Sequence, residues 1–567
     1  MLDQKFRSLP QPPPLGFPIP ADRHAISVQL PTWADLQGMV AQDPRILQRQ
    51  QIGYPRSFLN QNVVRVSDAC LQHFGQPDEN CLVFPAREHA LACRALLQSL
   101  ASDSSQECRT LAADFILDAG LGNTRRRFFL VLFPAKSNST AMGFWRLTGT
   151  GISSRLAESL HAGLHRIQAV PLNDSADRPG LHRELANRDT DEIVKSRIVG
   201  LLKRGSTNPT HSAQFSPSDV YLYPSGMAAI YGLNKVLQAW MPEQSVVFGF
   251  SYELTLKLLE VFGRGAKFYG RGTSAELDQF AEYLSNERHN GRSVQSVWCE
   301  CASNPLLRTV DLARLRRMAD EYGFLLVVDD TIASFANVDL AGIADIIVTS
   351  LTKTFSGYAN VLAGSIVLDP NSIAYPRLKQ IFNDHYVNEL FSTDSLILEH
   401  NSRDFLSRAS RLNTNASALV TMLEPLAGTP SSTVVDVYYP SRCWSRPNYD
   451  ARMRHATSEF TPGYGCLFTV EFESISTASA FFDALNIHKG PSLGTPVTIV
   501  LPYVQLVFPR EEEKRWAASH GLREAIVRVS VGLEDRDALV REFRRALRVA
   551  DKFKRGRESR GFFESVL

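Results

Sequence analysis

Through the middle of the chain, short apolar runs alternate with stretches in which apolar residues have helical spacing. The runs SVVFGF, VQSVWCECA, FLLVVDD and ADIIVTSL predict buried strands, because apolar runs bounded by polar residues suit a parallel sheet covered on both faces. The stretches ELTLKLLEVFG and DLARLRRMADEYG predict the helices between them. This alternation predicts an α/β domain with a mostly parallel sheet and helices on both faces.

The two ends of the chain follow other patterns. In the first 175 residues, REHALACRALLQSLA predicts a helix and RRRFFLVLFPA a strand, which indicates an N-terminal α/β extension. After residue 390, the long helical stretch DSLILEHNSRDFLSRASRLNTNASALVTML precedes the strands CLFTVEFE and AIVRVSVGL and the amphipathic helix DALVREFRRALRVADKF. We therefore expect an extension at 1–175, a large domain at 176–390 and a smaller α+β domain at 391–567.

Composition and charge narrow the class of protein. With 61 basic and 59 acidic residues, the net charge of +2 argues against a dedicated nucleic-acid binder. No apolar run approaches the roughly 20 residues that cross a bilayer, and the proline-rich start has no signal-peptide core. The eight cysteines are scattered, and several lie in apolar contexts, as is typical of a reduced protein. We expect a cytoplasmic protein without a membrane or nucleic-acid partner.

Charged residues stand where two of the apolar runs end. FLLVVDD ends in Asp329 and Asp330, and ADIIVTSL leads into Ser350, Thr352 and Lys353. A carboxylate or an amine at the end of a buried strand costs free energy unless something there needs the charge. The alternative interpretation is that these residues lie at the surface, where strands pass into loops.

In YLYPSGMAAIYGLNKVL, a serine and a glycine precede a helical run. Gly226 lets the backbone turn sharply, and free N–H groups at a helix start attract a phosphate. The commoner role of a serine at the position of Ser225 is that of an ordinary helix N-cap. With the hydroxyls of Ser350 and Thr352 and the amine of Lys353, the segment forms a set suited to a phosphorylated cofactor.

Taken together, the motifs resemble those of the cystathionine γ-synthase family of pyridoxal-phosphate (PLP) enzymes, and most of all its long fungal branch. The chain has SGM at 225–227, a tyrosine at Tyr252 after the next strand, ECASNP at 300–305, VVDD and SLTK, all in the family's order. KGPSLGT and VRVSVGLED resemble substrate-binding elements of the family's small domain. HAISVQLPTW, QIGYPRSF and GFWRLTGTGISSR resemble the fungal extension, so the resemblance covers nearly the whole chain.

The resemblance implies a PLP-dependent transferase of fold type I, and it assigns roles to particular residues. The residues implied to be catalytic are Lys353, which binds PLP covalently, Asp329, which faces the ring nitrogen, and Tyr252, which stacks on the ring. The residues implied to hold the phosphate are Gly226, Met227, Ser350 and Thr352. The residues implied to hold the substrate are Asn304, which also lies near the ring oxygen, Ser492 and Arg528. An arginine suits the α-carboxylate because its planar fork donates two hydrogen bonds.

The implied activity is γ-replacement on an O-acyl-L-homoserine, in which the acyl group leaves Cγ and cysteine adds to give cystathionine, a step toward methionine. A rival hypothesis keeps this first half-reaction but uses sulfide or a carbon nucleophile, such as a β-keto acid, in a fungal biosynthetic pathway. A γ- or β-lyase is a further variant, and a catalytically silent binding protein is the hypothesis from another class. Lys353, Asp329 and Arg528 count against the silent relative. The resemblance also implies small amino-acid substrates and a homodimer or homotetramer.

One departure concerns a YSRxxNPT-like segment of the family, whose tyrosine and arginine reach the phosphate of the neighbouring subunit. At the expected place the chain reads HRELANRDTDEIVKSRI, without that tyrosine, and Arg183 and Arg188 are candidates to replace it. We expect no metal site, because no third ligand accompanies His161 and His165. The thiols flanking Glu300 in CEC are expected to be buried rather than linked in a disulfide.

Overall fold

The computed structural model describes the backbone of residues 8–54, 57–100, 108–118, 123–172 and 188–566. In this part of the chain, three successive segments each form a β-sheet, and we name these the N-terminal, central and C-terminal sheets. The domain limits at 175 and 390 stay predictions. No helix of the described residues has both the length and the apolar character needed to cross a membrane.

The central sheet is mixed and largely parallel. Its strands, in spatial order, are Val220–Tyr223, Gly364–Leu368, Ile346–Thr349, Leu325–Asp329, Val294–Glu300, Gln244–Phe248 and Ala266–Tyr269. Gly364–Leu368 is antiparallel to both of its neighbours, and the other described strands run in one direction. The carboxyl ends of the parallel strands therefore meet at one edge of the sheet, as in other open α/β sheets that bind ligands there.

Helices cover both faces of the central sheet, which explains why its strands are apolar without alternation. Alternate strand residues such as Val246 and Val328 pack with one set of helices, and Val247 and Val327 pack with another. The first set comprises helices Arg188–Lys203, Ser274–His289 and Leu312–Tyr322. The second set comprises helices Gly226–Trp240, Glu253–Phe262 and Tyr375–His385. Shorter helices in this segment are Pro209–Ser212, Pro217–Asp219 and Ser334–Asn337.

The N-terminal sheet is antiparallel and packs on its own helices. Its strands, in spatial order, are Glu79–Phe84, Asn123–Pro134, Arg109–Asp118 and Gln168–Val170. Its helices are Gln61–Phe74, Arg87–Ser99, Ala135–Ser137, Asn138–Thr148, Ser154–Leu160 and His161–Arg166. A hydrogen bond and an ion pair join these helices to the segment after the central sheet. Nε2 of His89 lies 2.9 Å from Glu389, and Nη1 of Arg155 lies 3.0 Å from Asp394.

The C-terminal sheet is antiparallel except for its last pair of strands. Its strands, in spatial order, are Val434–Tyr438, Leu467–Phe472, Ile526–Ser530, Ile499–Leu501 and His488–Lys489. Its helices are Arg446–Asp450, Ile475–Ala484, Tyr503–Val507, Glu511–Ser519 and Arg536–Val566. The predicted helical region before this sheet consists of helices Ser392–Ser402 and Phe405–Leu423, followed by the short helix Glu424–Leu426.

A segment ahead of the N-terminal sheet, residues 8–54, runs over the other two sheets, and we call it the strap. It contains the short strands Pro18–Ile19 and Ser27–Val28 and the helices Trp33–Val40 and Pro44–Leu47. The backbone N–H of Ile26 donates to the carbonyl of Ala359 at 2.9 Å, and that of Leu30 donates to the carbonyl of Lys489 at 2.8 Å. The strap thus bonds both to the loop between central-sheet strands Ile346–Thr349 and Gly364–Leu368 and to the edge of the C-terminal sheet.

The loop that carries Lys353 is held from behind by a buried arginine, Arg408. Its Nη1 donates to the carbonyl of Thr354 at 2.8 Å, and its Nη2 donates to the carbonyls of Phe355 at 2.9 Å and Asn401 at 3.0 Å. Asn401 lies in the last turn of helix Ser392–Ser402, next to the break before helix Phe405–Leu423. The guanidinium therefore joins the lysine loop to the helix break.

We expect Arg408→Ala to lower the free energy of unfolding by on the order of 3–5 kcal/mol, because it leaves three buried carbonyls without their donor. The matched control is Arg446→Ala, since Arg446 and Asp450 form an exposed ion pair at 3.0 Å. That change should cost less than about 1 kcal/mol. Urea unfolding of both variants measures the difference, and equal losses would contradict the role assigned to Arg408.

Candidate active site

Lys353 lies in the loop after strand Ile346–Thr349, at the edge where the parallel strands end. Its side chain is buried, and Nζ lies 3.0 Å from the hydroxyl of Ser492 and 3.2 Å from the hydroxyl of Tyr54. Ser492 follows strand His488–Lys489 of the C-terminal sheet, and Tyr54 ends the strap. Three segments that are distant in sequence therefore meet at one amine.

Tyr54 is a site residue that the sequence analysis did not identify. It stands in QIGYPRSF, which has the tyrosine–x–arginine spacing of the YSRxxNPT-like segment. The prediction from sequence places that segment at HRELANRDTDEIVKSRI instead. Arg183 and the side chain of Arg188 lie outside the described residues, so their predicted role stays a prediction. The signal that could have found Tyr54 was the spacing in QIGYPRSF.

Two carboxylates, those of Glu300 and Asp329, end neighbouring parallel strands and are paired in register. Glu300 is buried, whereas Asp329 keeps part of its surface exposed. Withdrawal from water raises the pKa of Asp329 to about 6. The N–H of Thr331 donates to Oδ1 at 2.8 Å, and this hydrogen bond partly opposes the rise in pKa. Burial and the neighbouring Asp329 charge raise the pKa of Glu300 as well. The two groups make this strand edge the acidic part of the site.

Glu300 holds the loops after two strands in place. Its Oε1 accepts from the backbone N–H of Tyr252 at 2.7 Å, and its Oε2 accepts from that of Asn304 at 2.8 Å. Tyr252 begins helix Glu253–Phe262, and its side chain is partly exposed. One carboxylate therefore sets the positions of the predicted ring-stacking tyrosine and the predicted substrate-binding asparagine.

Asp330 points away from Asp329, as the alternation of side chains along a strand requires. It is buried, and its Oδ1 accepts from the hydroxyl of Thr349 at 2.5 Å. Burial raises its pKa to about 7. Asp330 thus bonds within the sheet, while the partly exposed Asp329 remains the carboxylate that can face a bound ring.

The SGM segment begins helix Gly226–Trp240. Ser225 caps this helix, its hydroxyl accepting from the N–H of Ala228 at 3.0 Å and donating to the carbonyl of Gly149 at 3.1 Å. The N-cap role that the sequence analysis weighed for Ser225 is therefore present. A Cβ on Gly226 would come within 2.8 Å of the Cβ of Ser350, so only glycine allows this close approach.

The remaining predicted phosphate ligands differ in their surroundings. Gly226 and Ser350 are partly exposed, whereas Met227 and Thr352 are buried. The hydroxyl of Thr352 donates to the carbonyl of Ala363 at 3.1 Å and accepts from its N–H at 3.0 Å. The backbone at the helix start and the Ser350 hydroxyl are therefore better placed for an anion than the Thr352 hydroxyl.

Arg528 lies in strand Ile526–Ser530 and is buried rather than on a solvated face. Its Nη1 donates to Oδ1 of Asn304 at 3.1 Å, and its Nη2 donates to the carbonyl of Ser492 at 2.9 Å. The guanidinium carbon stands 5.0 Å from the ring centre of Tyr503. Burial lowers the pKa of Arg528. Two of the three predicted substrate residues, Asn304 and Ser492, are thus both bonded to the third, Arg528.

These residues fit PLP. The partly exposed groups Gly226, Ser350, Asp329 and Tyr252 line the strand edge beside the buried Lys353. The start of a 15-residue helix suits a phosphate. The desolvated carboxylate of Asp329, whose pKa is raised, would be stabilised as an anion by a protonated ring nitrogen.

Two protein-family models match the chain. The family described as Cys/Met metabolism PLP-dependent enzyme matches residues 215–548, which contain the central and C-terminal sheets. The family described as fungal trans-sulfuration enzyme, N-terminal domain, matches residues 62–153. These matches confirm the predicted resemblance and the predicted cofactor, PLP.

Relatives match along almost the whole chain. Alanine racemase ungC of Aspergillus violaceofuscus is 36% identical and is aligned over 96% of this chain and 98% of its own. Cystathionine γ-synthase of Neurospora crassa is 33% identical over 95% of this chain and 98% of its own. The solved cystathionine γ-synthase of Xanthomonas oryzae pv. oryzae has a TM-score of 0.52 at 20% identity, over 65% of this chain and 87% of that chain. The predicted fold type I class is confirmed.

Substitution of the two adjacent aspartates should lower kcat to different extents. Asp329→Asn should lower kcat by orders of magnitude, because a neutral amide does not hold a proton on a ring nitrogen. Asp330→Asn should have a smaller effect, because an amide oxygen can still accept from Thr349. Steady-state kinetics and the visible absorption of bound PLP measure both variants, and the reverse ranking would show that Asp330 faces the ring.

Proposed function

Since the chain belongs to the Cys/Met metabolism PLP-dependent enzyme family, we propose that it catalyses γ-replacement on an O-acyl-L-homoserine with L-cysteine, giving cystathionine. The observation that carries the proposal is the double bonding of Ser492. Its hydroxyl lies 3.0 Å from Nζ of Lys353, and its carbonyl accepts from Arg528 at 2.9 Å. An amino acid whose carboxylate binds Arg528 therefore has its Cα close to the lysine amine.

In the proposed mechanism, PLP supplies an electron sink for the charge that develops when a proton leaves Cα. Lys353 takes that proton and moves protons between Cα and Cβ, and Asp329 holds the proton on the ring nitrogen. The acyl group leaves Cγ as a carboxylate with the electron pair of the C–O bond. The sulfur of cysteine gives the pair that forms the new C–S bond, and the thiol proton passes to the solvent.

Tyr54 supports this proton transfer through its contact with the amine. A hydroxyl 3.2 Å from Nζ fixes the direction of the amine lone pair or N–H and excludes water from one side of it. The ring centre of Tyr54 is 4.9 Å from Nζ, so the ring also stabilises the ammonium form. We propose that Tyr54 orients Lys353 during the transfer.

A second candidate is racemisation of an amino acid. It is favoured by the 36% identity to a relative named alanine racemase and by the adjacency of two proton-transferring groups, Lys353 and Tyr54. Replacement with sulfide or with a carbon acid remains the closer rival, because it shares the first half-reaction. The cytoplasmic location and the homodimer or homotetramer predicted from the sequence belong to the same proposal.

The proposal is tested by incubating the purified protein with O-acetyl-L-homoserine and, in turn, L-cysteine, sulfide, acetoacetate or no nucleophile. With cysteine as the nucleophile, we expect cystathionine as the main product, identified by mass. We expect no product from the Lys353→Ala variant. L-alanine in deuterium oxide tests racemisation through exchange and loss of optical rotation. A main product with sulfide or acetoacetate, or racemisation alone, would contradict the proposed reaction.

Arg528→Ala should raise the KM for O-acetyl-L-homoserine roughly 30- to 150-fold while PLP stays bound. The reason is the loss of a bidentate, desolvated carboxylate contact of on the order of 2–3 kcal/mol. Arg528→Lys should recover little, because an ammonium does not reproduce the planar fork. Loss of PLP absorption with normal binding of the amino acid would place Arg528 at the phosphate instead.

A further inference from the structure

Glu253 lies at the edge of the site, directly after Tyr252. It is the first residue of helix Glu253–Phe262, and its side chain is partly exposed. The N–H of Tyr252 is held by Glu300 at 2.7 Å, so the start of this helix has a set position relative to the strand edge. The backbone of Glu253 is therefore held next to that of Tyr252, one of the predicted site residues.

The carboxylate of Glu253 is linked to the substrate-binding arginine through Tyr503. The hydroxyl of Tyr503 donates to Oε2 of Glu253 at 3.2 Å, and the Tyr503 ring lies under the guanidinium of Arg528. Tyr503 is buried. The Glu253 charge also counters the effect of burial on the pKa of Arg528, so the two groups interact electrostatically.

A carboxylate at this position weakens the binding of anionic ligands. It repels the carboxylate that Arg528 binds, and it adds to the negative charge of Glu300 and Asp329 at the same edge. A ligand that brings a positive charge next to Glu253 offsets this repulsion. O-acyl-homoserine bound through its α-amino group and α-carboxylate has no second cation to bring, so the cation has to come from the nucleophile.

We propose that Glu253 binds the ammonium group of the incoming nucleophile, which makes an amino thiol such as cysteine the preferred second substrate. Sulfide has no group for Glu253 to bind, and a β-keto acid is an anion that the carboxylate repels. The inference rests on the proposed γ-replacement and narrows its second substrate. Glu253 is thereby a specificity-determining residue, distinct from the groups that bind PLP.

The first test compares L-cysteine with 3-mercaptopropionate, which is cysteine without the ammonium group, at saturating O-acetyl-L-homoserine. Glu253→Gln keeps an acceptor for Tyr503 but removes the charge. It should raise the KM for cysteine about tenfold, equivalent to about 1.4 kcal/mol. The KM for 3-mercaptopropionate and for O-acetyl-L-homoserine should not rise, because the variant removes a charge that repels their carboxylates. Glu260→Gln is the matched control, because Glu260 is an exposed glutamate on the same helix.

A second test measures ligand binding in the absence of turnover. Calorimetry measures the Kd of L-cystathionine and of S-(2-carboxyethyl)-L-homocysteine, which lacks the ammonium of the cysteine half. Glu253→Gln should weaken the binding of the first ligand about tenfold and should not weaken the binding of the second. An unchanged cysteine KM and cystathionine Kd, or equal losses for both members of each pair, would overturn the inference. If the wild type forms no thioether yet cystathionine binding depends on Glu253, the proposed reaction fails and the ammonium site stands.

Discussion

The arrangement of the site depends on the carboxylate of Glu300, which is buried beside Asp329 at the ends of two parallel strands. Both of its oxygens accept backbone N–H groups, one from the loop that follows its own strand and one from the loop after strand Gln244–Phe248. A buried N–H that loses its acceptor costs about 1–3 kcal/mol, so neither loop can shift freely. The positions of Tyr252 and Asn304 are coupled through this one side chain.

The parts of the fold that could be predicted from the sequence are those determined by residues that lie close together in the chain. The apolar runs that end at Asp329 and before Lys353 form buried strands because both faces of the sheet are covered, and parallel strands bring their carboxyl ends to one edge. Because successive side chains along a strand point to opposite faces, the different orientations of Asp329 and Asp330 could also be predicted. Tyr54 could not be found in this way, because it lies 299 residues from Lys353 and reaches it through the strap.

The hydroxyl groups show a second limit of prediction. Ser350 and Thr352 look equivalent in the sequence as phosphate ligands, and Ser225 stands next to the same predicted phosphate site. In the structure, Ser225 caps a helix and Thr352 bonds to both backbone groups of Ala363, since short hydroxyl side chains satisfy the nearest backbone groups first. Which hydroxyl faces a ligand is decided by the local backbone path, and a motif alone does not contain that path.

The strap also constrains how the chain can be made. The N–H of Lys489 donates to the side chain of Gln29 across 460 residues, so a ribosome adding about 5–20 residues per second needs roughly 20 to 90 s between the two. Until Lys489 has been made, Leu30, which is fully covered in the finished protein, lacks the carbonyl to which its N–H donates. The strap therefore emerges before the segments on which it docks, and Tyr54 can reach Lys353 only after 299 further residues have been added.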